Sequence, residues 1–195
     1  MGKLIGIIVV VALLFVIVTG VSGYNGLVKK NETVNQAWSQ VENQYQRRAD
    51  LIPNLVETVK GAANFEQETL TKVIEARASA TQVKLTPEML NDPQALQRFE
   101  DAQGQLSSAL SRLLVTVEQY PELKANANYQ ALQTQLEGTE NRISVERRRF
   151  NEVTQDYNVA VRRFPMSFFA GMFGFHPKAY FTAREGSAEP PKVQF

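Results

Sequence analysis

The stretch Asp92-PQALQRFEDAQGQLSSALSRLLVTVEQY-Pro121 decides the fold. Leu96, Phe99, Gln103, Leu106, Leu110, Leu113, Val117 and Tyr120 recur three and four residues apart, and only Gln103 is polar. That spacing lays a single apolar stripe along an α-helix, which must be buried against a neighbour. Asp92 before Pro93 predicts an N-cap followed by proline at the first helical position, and Pro121 stops the helix just past Tyr120.

The same pattern recurs on either side. Downstream, Tyr129, Leu132, Leu136, Thr139, Ile143, Glu146, Phe150, Val153, Tyr157, Ala160 and Phe164 form a seam of coiled-coil type that Pro165 ends. Upstream, Leu27, Val34, Trp38, Val41, Tyr45, Arg48, Ile52, Leu55 and Val59 share one stripe. A shorter helix is expected from Phe65 to Val83, opened by a capping box of Asn64 and Gln67, and Thr86-Pro87-Glu88 starts one further helical turn. Four amphipathic helices, at 27–62, 65–83, 93–120 and 126–164, with short connections predict an all-α, elongated, antiparallel up-down bundle. The first and fourth would each be about 55 Å long. No β-type alternation occurs before residue 165.

The bundle is preceded by a short tail, residues 1–3, and by the run Leu4 to Val18, which has no polar side chain. Extended through Val21, that run reaches about 27 Å as a helix, close to the hydrocarbon thickness of a bilayer. Residues 4–23 are therefore expected to be a transmembrane signal-anchor, with Tyr24 at the interfacial aromatic belt. The competing reading is a cleaved signal peptide, with Val21-Ser22-Gly23 or Val18-Thr19-Gly20 as the cleavage site; the run is at or beyond the usual length of such a segment. Lys3 on one side and Lys29-Lys30 on the other give little charge contrast, and the bundle is expected outside the cytoplasm.

Composition narrows the function. The 21 basic and 20 acidic residues nearly cancel, leaving no positive excess for a nucleic-acid partner. With no cysteine and a single histidine, His176, no disulfide, thiolate nucleophile or site needing two imidazoles can form. Neither a Gly-rich phosphate loop nor a serine–base pairing is present. No catalytic residue, cofactor or metal ligand is expected.

Several motifs together resemble the LemA family. They are Tyr24-Asn25-Gly26-Leu27-Val28, Gln36-Ala37-Trp38-Ser39-Gln40-Val41-Glu42 and Arg47-Arg48-Ala49-Asp50-Leu51-Ile52-Pro53-Asn54-Leu55-Val56. Ala76-Arg77, Tyr120-Pro121-Glu122-Leu123-Lys124, Glu137-Gly138-Thr139-Glu140-Asn141-Arg142-Ile143, Tyr157-Asn158, Phe164-Pro165 and the closing Pro191-Lys192-Val193-Gln194-Phe195 continue the match in order. Phe150-Asn151 departs from it, standing where a Tyr-Asn pair is expected, but keeps the aromatic ring. The resemblance implies an N-terminal membrane anchor and an antiparallel four-helix bundle, and it implies no enzymatic activity.

Three features carry site expectations. Arg48 and Glu146 fall on apolar seams halfway along the first and fourth helices, so antiparallel packing predicts an ion pair that sets register. Pro53, inside a helical pattern, marks a bend of the long helix over its bundle, or a hinge. The aromatic-rich segment 165–184 is either a cap over the bundle end or a surface for membrane or partner contact, through Phe168, Phe169, Phe173 and Phe175. Residues 185–195 read as a flexible tail. The whole describes a membrane-anchored, non-enzymatic scaffold or adaptor of the bacterial envelope. Its expected partners are the bilayer, through residues 4–23, and another envelope protein. The alternative is a binding module that takes a lipid or peptide in an apolar bundle pocket or on the aromatic segment.

Overall fold

The computed structural model describes residues 2–61 and 65–182, and all regular structure among them is helical. The elements are α1 (Gly2–Lys60), α2 (Gln67–Gln82), a 3-10 helix (Pro87–Asn91), α3 (Pro93–Val117), α4 (Pro121–Lys124), α5 (Ala127–Arg162) and α6 (Met166–Met172). Asn64 and the tail expected at 185–195 lie outside the described residues. Glu66, not Asn64, occupies the N-cap of α2, without a side-chain capping bond.

The apolar run and the first bundle helix are a single helix of 59 residues, about 88 Å long. It passes through Gly20, Gly23 and Gly26 unbroken, because no proline interrupts it before Pro53. Its first eighteen residues or so form one span long and apolar enough to cross a membrane, and only 6% of that window is buried. From Leu27 onward all nine expected stripe residues are buried. α1 packs most extensively on α5 and α2 on α3, while α1 also meets α2 and α6.

Pro53 is exposed and the helix continues through it to Lys60. Proline has no N–H, so the Ala49 carbonyl one turn back loses its helical donor. Arg77 Nε on α2 donates to that carbonyl at 2.7 Å. The proline thus exposes an acceptor that ties α2 to α1.

α3 follows its expected stripe closely. Asp92 accepts from the Gln94 N–H at 2.8 Å, and Leu96, Phe99, Gln103, Leu106, Leu110, Leu113 and Val117 are all buried. The helix ends at Val117, three residues early; Tyr120 instead packs on Phe65, with ring centroids 4.9 Å apart, and Pro121 opens α4. α5 is capped by Asn126, which accepts from the N–H groups of Asn128 and Tyr129. Beyond Phe150 its buried face shifts to Thr154, Tyr157, Asn158 and Val161, leaving Val153 and Ala160 partly buried; Phe164, past the end of the helix, is 84% exposed. A straight helix of 3.6 residues per turn drifts off a seven-residue seam, and the chain after α6 covers the face the drift exposes.

The interior has two apolar clusters. The lower, aromatic one holds Trp38, Tyr45, Phe99, Phe150, Tyr157 and Phe181, and the upper, aliphatic one holds Ile52, Leu55, Leu70, Leu106, Leu113 and Leu136. Between them lies a polar layer centred on Arg48, which is 1% exposed.

Candidate functional site at the base of the bundle

Arg48 donates from Nη1 to Glu140 Oε1 at 2.6 Å and to Ser107 Oγ at 2.8 Å. Its Nη2 reaches Gln103 Oε1 at 2.5 Å, and the guanidinium sits 5.1 Å from the Tyr45 ring centroid. The expected Arg48–Glu146 pair is therefore corrected: the carboxylate is Glu140. The cause is register. Trp38 packs edge-on to Phe150, and moving ten residues up α1 and ten back along α5 sets Arg48 opposite Glu140. Glu146 Oε2 is buried without a hydrogen-bond partner among the described residues. Gln103, the lone polar member of the α3 stripe, also donates to Ala80 O at 3.2 Å and so joins three helices.

The base is built from α6 and its surroundings. At Gly23 an added Cβ would lie 1.8 Å from Met166 Cε, so the Met166 methyl fills the space a side chain would take. At Gly20 the nearest atom is Phe169 Cε1, 3.7 Å from such a Cβ. The Tyr24 ring meets Phe173 and Phe175 edge-on, at 5.1 and 5.8 Å between centroids. α6 is thus seated against the turns of α1 where the apolar run ends.

Its other face is open. Phe168 and Met172, one turn apart, are 73% and 66% exposed, and Phe164, two residues before the helix, is 84% exposed. The four aromatics singled out in the sequence divide accordingly: Phe168 points outward, Phe169 and Phe175 are half-buried, and Phe173 lies at the edge against Tyr24. Phe164 and Met172 complete the outward row. Phe164, assigned in sequence to the buried seam, lies instead in the turn between α5 and α6.

A strap locks α6 in place. Gly174, at φ 76°, ends the helix in the left-handed region, with Phe175 N–H donating to Ala170 O at 2.9 Å and Gly174 N–H to Gly171 O at 3.3 Å. The chain then runs back along α5 in extended form. Asn158 Nδ2 donates to Lys178 O, and its Oδ1 accepts from Lys178 N–H, both at 2.8 Å. Asn151 does the same for Phe181, at 2.9 Å each way. Seven helical residues and three extended ones both advance about 10 Å, so the two asparagines match the strap's pitch. The Phe150-Asn151 and Tyr157-Asn158 pairs carried this signal, an aromatic-asparagine pair repeated at seven residues, although sequence reasoning gave it no role.

The strap's side chains are anchored too. Phe181 stacks on Trp38 and packs edge-on to Phe150, and the Arg147 guanidinium lies 4.3 Å from its ring centroid. Arg147 also pairs with Glu100. Burial raises the Glu100 carboxyl above its ordinary range, and the Arg147 charge opposes that rise. Burial likewise lowers the Lys178 ammonium, only partly offset by the Glu88 and Glu32 charges.

Asn158→Ala should lower stability by about 2 kcal/mol, because two strap backbone groups lose their partners. Amide exchange at 176–182 should quicken by about tenfold or more. Asn158→Asp should do at least as much damage, since a carboxylate cannot donate to Lys178 O. Unchanged exchange in both variants, read by mass spectrometry, would show that the asparagines do not hold the strap.

An apolar helix that continues unbroken into an antiparallel bundle, with a strapped helix at its base, defines an all-helical protein built on a candidate membrane span. The model of the LemA family matches residues 37–195. The chain belongs to the LemA family. It is similar to the magnetosome protein MamQ of Magnetospirillum gryphiswaldense, at 28% identity over 93% of this chain and 72% of that protein. MamQ 2 of Paramagnetospirillum magneticum is 26% identical over 94% of this chain and 74% of its own length. Protein LemA of Metamycoplasma hominis is 25% identical over 83% and 69% respectively.

Proposed function

We propose that this protein is a membrane-tethered scaffold of the bacterial envelope, without catalytic activity, whose bundle presents a surface to other envelope proteins. The observation that carries the reading is the unbroken Gly2–Lys60 helix. It runs directly from a candidate span into one of the two long helices of the bundle, so the bundle is held on a helix rather than on a loose linker. The interior supports a scaffold over an internal-pocket binder: Trp38, Arg48, Phe150, Leu55 and Leu106 are essentially inaccessible. The larger cleft described, about 430 Å³ along Ser107, Leu110, Leu114, Leu136 and Glu140, is an open surface groove between α3 and α5. Two of the relatives quoted are named for a cellular body, the magnetosome, and not for a reaction.

The reading places the bundle outside the cytoplasm. Because the chain has no cysteine, one introduced at Glu122 would be a unique label. An impermeant maleimide should label it in intact cells once any outer membrane is made permeable; labelling only after lysis would reverse the topology. Photo-crosslinkers at the exposed Val115 and Val145, in full-length protein in native membranes, should give reproducible adducts with another envelope protein. Recovery of the uncrosslinked protein alone from both positions would count against a scaffold.

A further inference from the structure

We propose that α6 and the turn before it are an interfacial foot, inserting Phe164, Phe168 and Met172 into the headgroup–acyl boundary of the bilayer that the N-terminal span crosses. The inference rests on that span being membrane-embedded and goes beyond it. Three observations lead there. First, the contacts of α6 fix its height. Phe169 lies at Gly20 and Met166 at Gly23, and Gly20 is in the last turn of the apolar run that ends at Val21. The foot therefore sits where the span leaves the hydrocarbon.

Second, the exposed side chains are large and apolar, and the helix that carries Phe168 and Met172 is seated at the end of an exposed apolar span. Leu14, Ile17, Val18 and Val21 are 56%, 58%, 65% and 58% exposed, and Phe164, Phe168 and Met172 add further exposed apolar side chains at that end of the bundle. In water these three side chains would remain hydrated. An amphipathic helix in the interface buries its apolar face about 5–10 Å deep, within reach of side chains of this length.

Third, the charges fit. Lys29, Lys30, Arg162 and Arg163 are all exposed. In the α1–α5 register, Arg162 and Arg163 fall opposite residues 26 and 25 of α1, about one turn below Lys29 and Lys30, so the four cations occupy a band about one turn deep beside the foot. Glu32 and Asp156 are the nearest acidic residues along the two helices. A basic belt over an apolar row is the charge order of a surface that rests on anionic lipid. The strap through Asn151 and Asn158 then keeps α6 from swinging away when the bundle moves.

Full-length protein would be reconstituted in nanodiscs of phosphatidylcholine with phosphatidylglycerol. Single cysteines would be introduced at Val10, Met172 and Val145 and labelled with an environment-sensitive fluorophore. Lipids would carry a nitroxide quencher either near the headgroup or deep in the chain. Val10 should be quenched best by the deep nitroxide. Met172 should be quenched about twofold or more over Val145, and best by the shallow nitroxide. A Phe164→Ser/Phe168→Ser double variant, altered only at exposed positions, should abolish the Met172 signal while leaving Val10 unchanged. Val10 quenched with Met172 no more quenched than Val145 would overturn the foot while the anchor stands, and would leave the aromatic row facing a protein partner. Val10 unquenched would remove the anchor and the foot together. Loss of the Met172 signal in pure phosphatidylcholine would assign the attachment chiefly to the basic belt and overturn insertion of the apolar row.

Discussion

Replacing Trp38 with alanine should destabilise the bundle by about 4 kcal/mol. The indole is 1% exposed and is the hub of the lower core. It meets Phe99 and Phe150 edge-on and stacks on Phe181, with centroids 5.4, 5.7 and 6.0 Å away. Its Nε1 donates to Leu85 O at 3.1 Å, which pins the connection that follows α2. Alanine would leave a cavity among three rings and an orphaned carbonyl. Phenylalanine would keep most of the packing and lose the hydrogen bond, at about 1–2 kcal/mol. Thermal unfolding of the full-length protein in detergent, followed by helical circular dichroism, should place Trp38→Ala about 12 °C below the parent. A phenylalanine variant as damaged as the alanine variant would mean that the indole hydrogen bond, and not the aromatic cluster, holds this end together.

Arg48→Ala should cost about 3 kcal/mol, chiefly by stranding the groups that surround it. Glu140, its charged partner, is 44% exposed, so water takes up much of what it loses. Gln103 is buried and cannot recover its acceptor bond that way. Arg48→Met should therefore be nearly as harmful despite filling the volume. The double variant Arg48→Met/Gln103→Leu should recover part of the loss, because both ends of one buried hydrogen bond are removed together. Recovery would stay partial, since Ala80 O also depends on Gln103. Arg48→Lys should resemble alanine more than arginine: a point ammonium cannot reach Glu140, Ser107 and Gln103 at once. A lysine variant with parental stability would show that charge alone, not the planar fork, organises the layer.

Local patterns were legible in the sequence, and long-range partners were not. The α3 stripe was readable because each of its contacts follows from a three- or four-residue step, and its cap from two adjacent residues, Asp92 and Pro93. The stripe of α1 was readable for the same reason. The partner of Arg48 depended on the α1–α5 register, which Trp38 and Phe150 set from a distance, so a seam position six residues away was chosen. Thr154 and Val161 were hidden because they lie off the seven-residue seam, on the side of α5 where Asn151, Tyr157 and Asn158 bind the strap, a segment with no periodicity of its own. Asn151 and Asn158 stood in visible repeats, but an asparagine that clamps an extended backbone looks in sequence like any exposed helix amide. The aromatic segment was identified as a surface; its division into a seated face and an open face required knowing where α1 ran beneath it.

The unbroken course of α1 gives the molecule the mechanics of a pointer. From Val21 to Lys60 it runs as one helix, with Pro53 inside it, a distance of about 60 Å. A change of about 10° in the tilt of the membrane segment would sweep the far tip through about 10 Å. A change in bilayer thickness, which a span accommodates in part by tilting, would thereby be converted into displacement at the distal end, where α2, α3 and α4 meet.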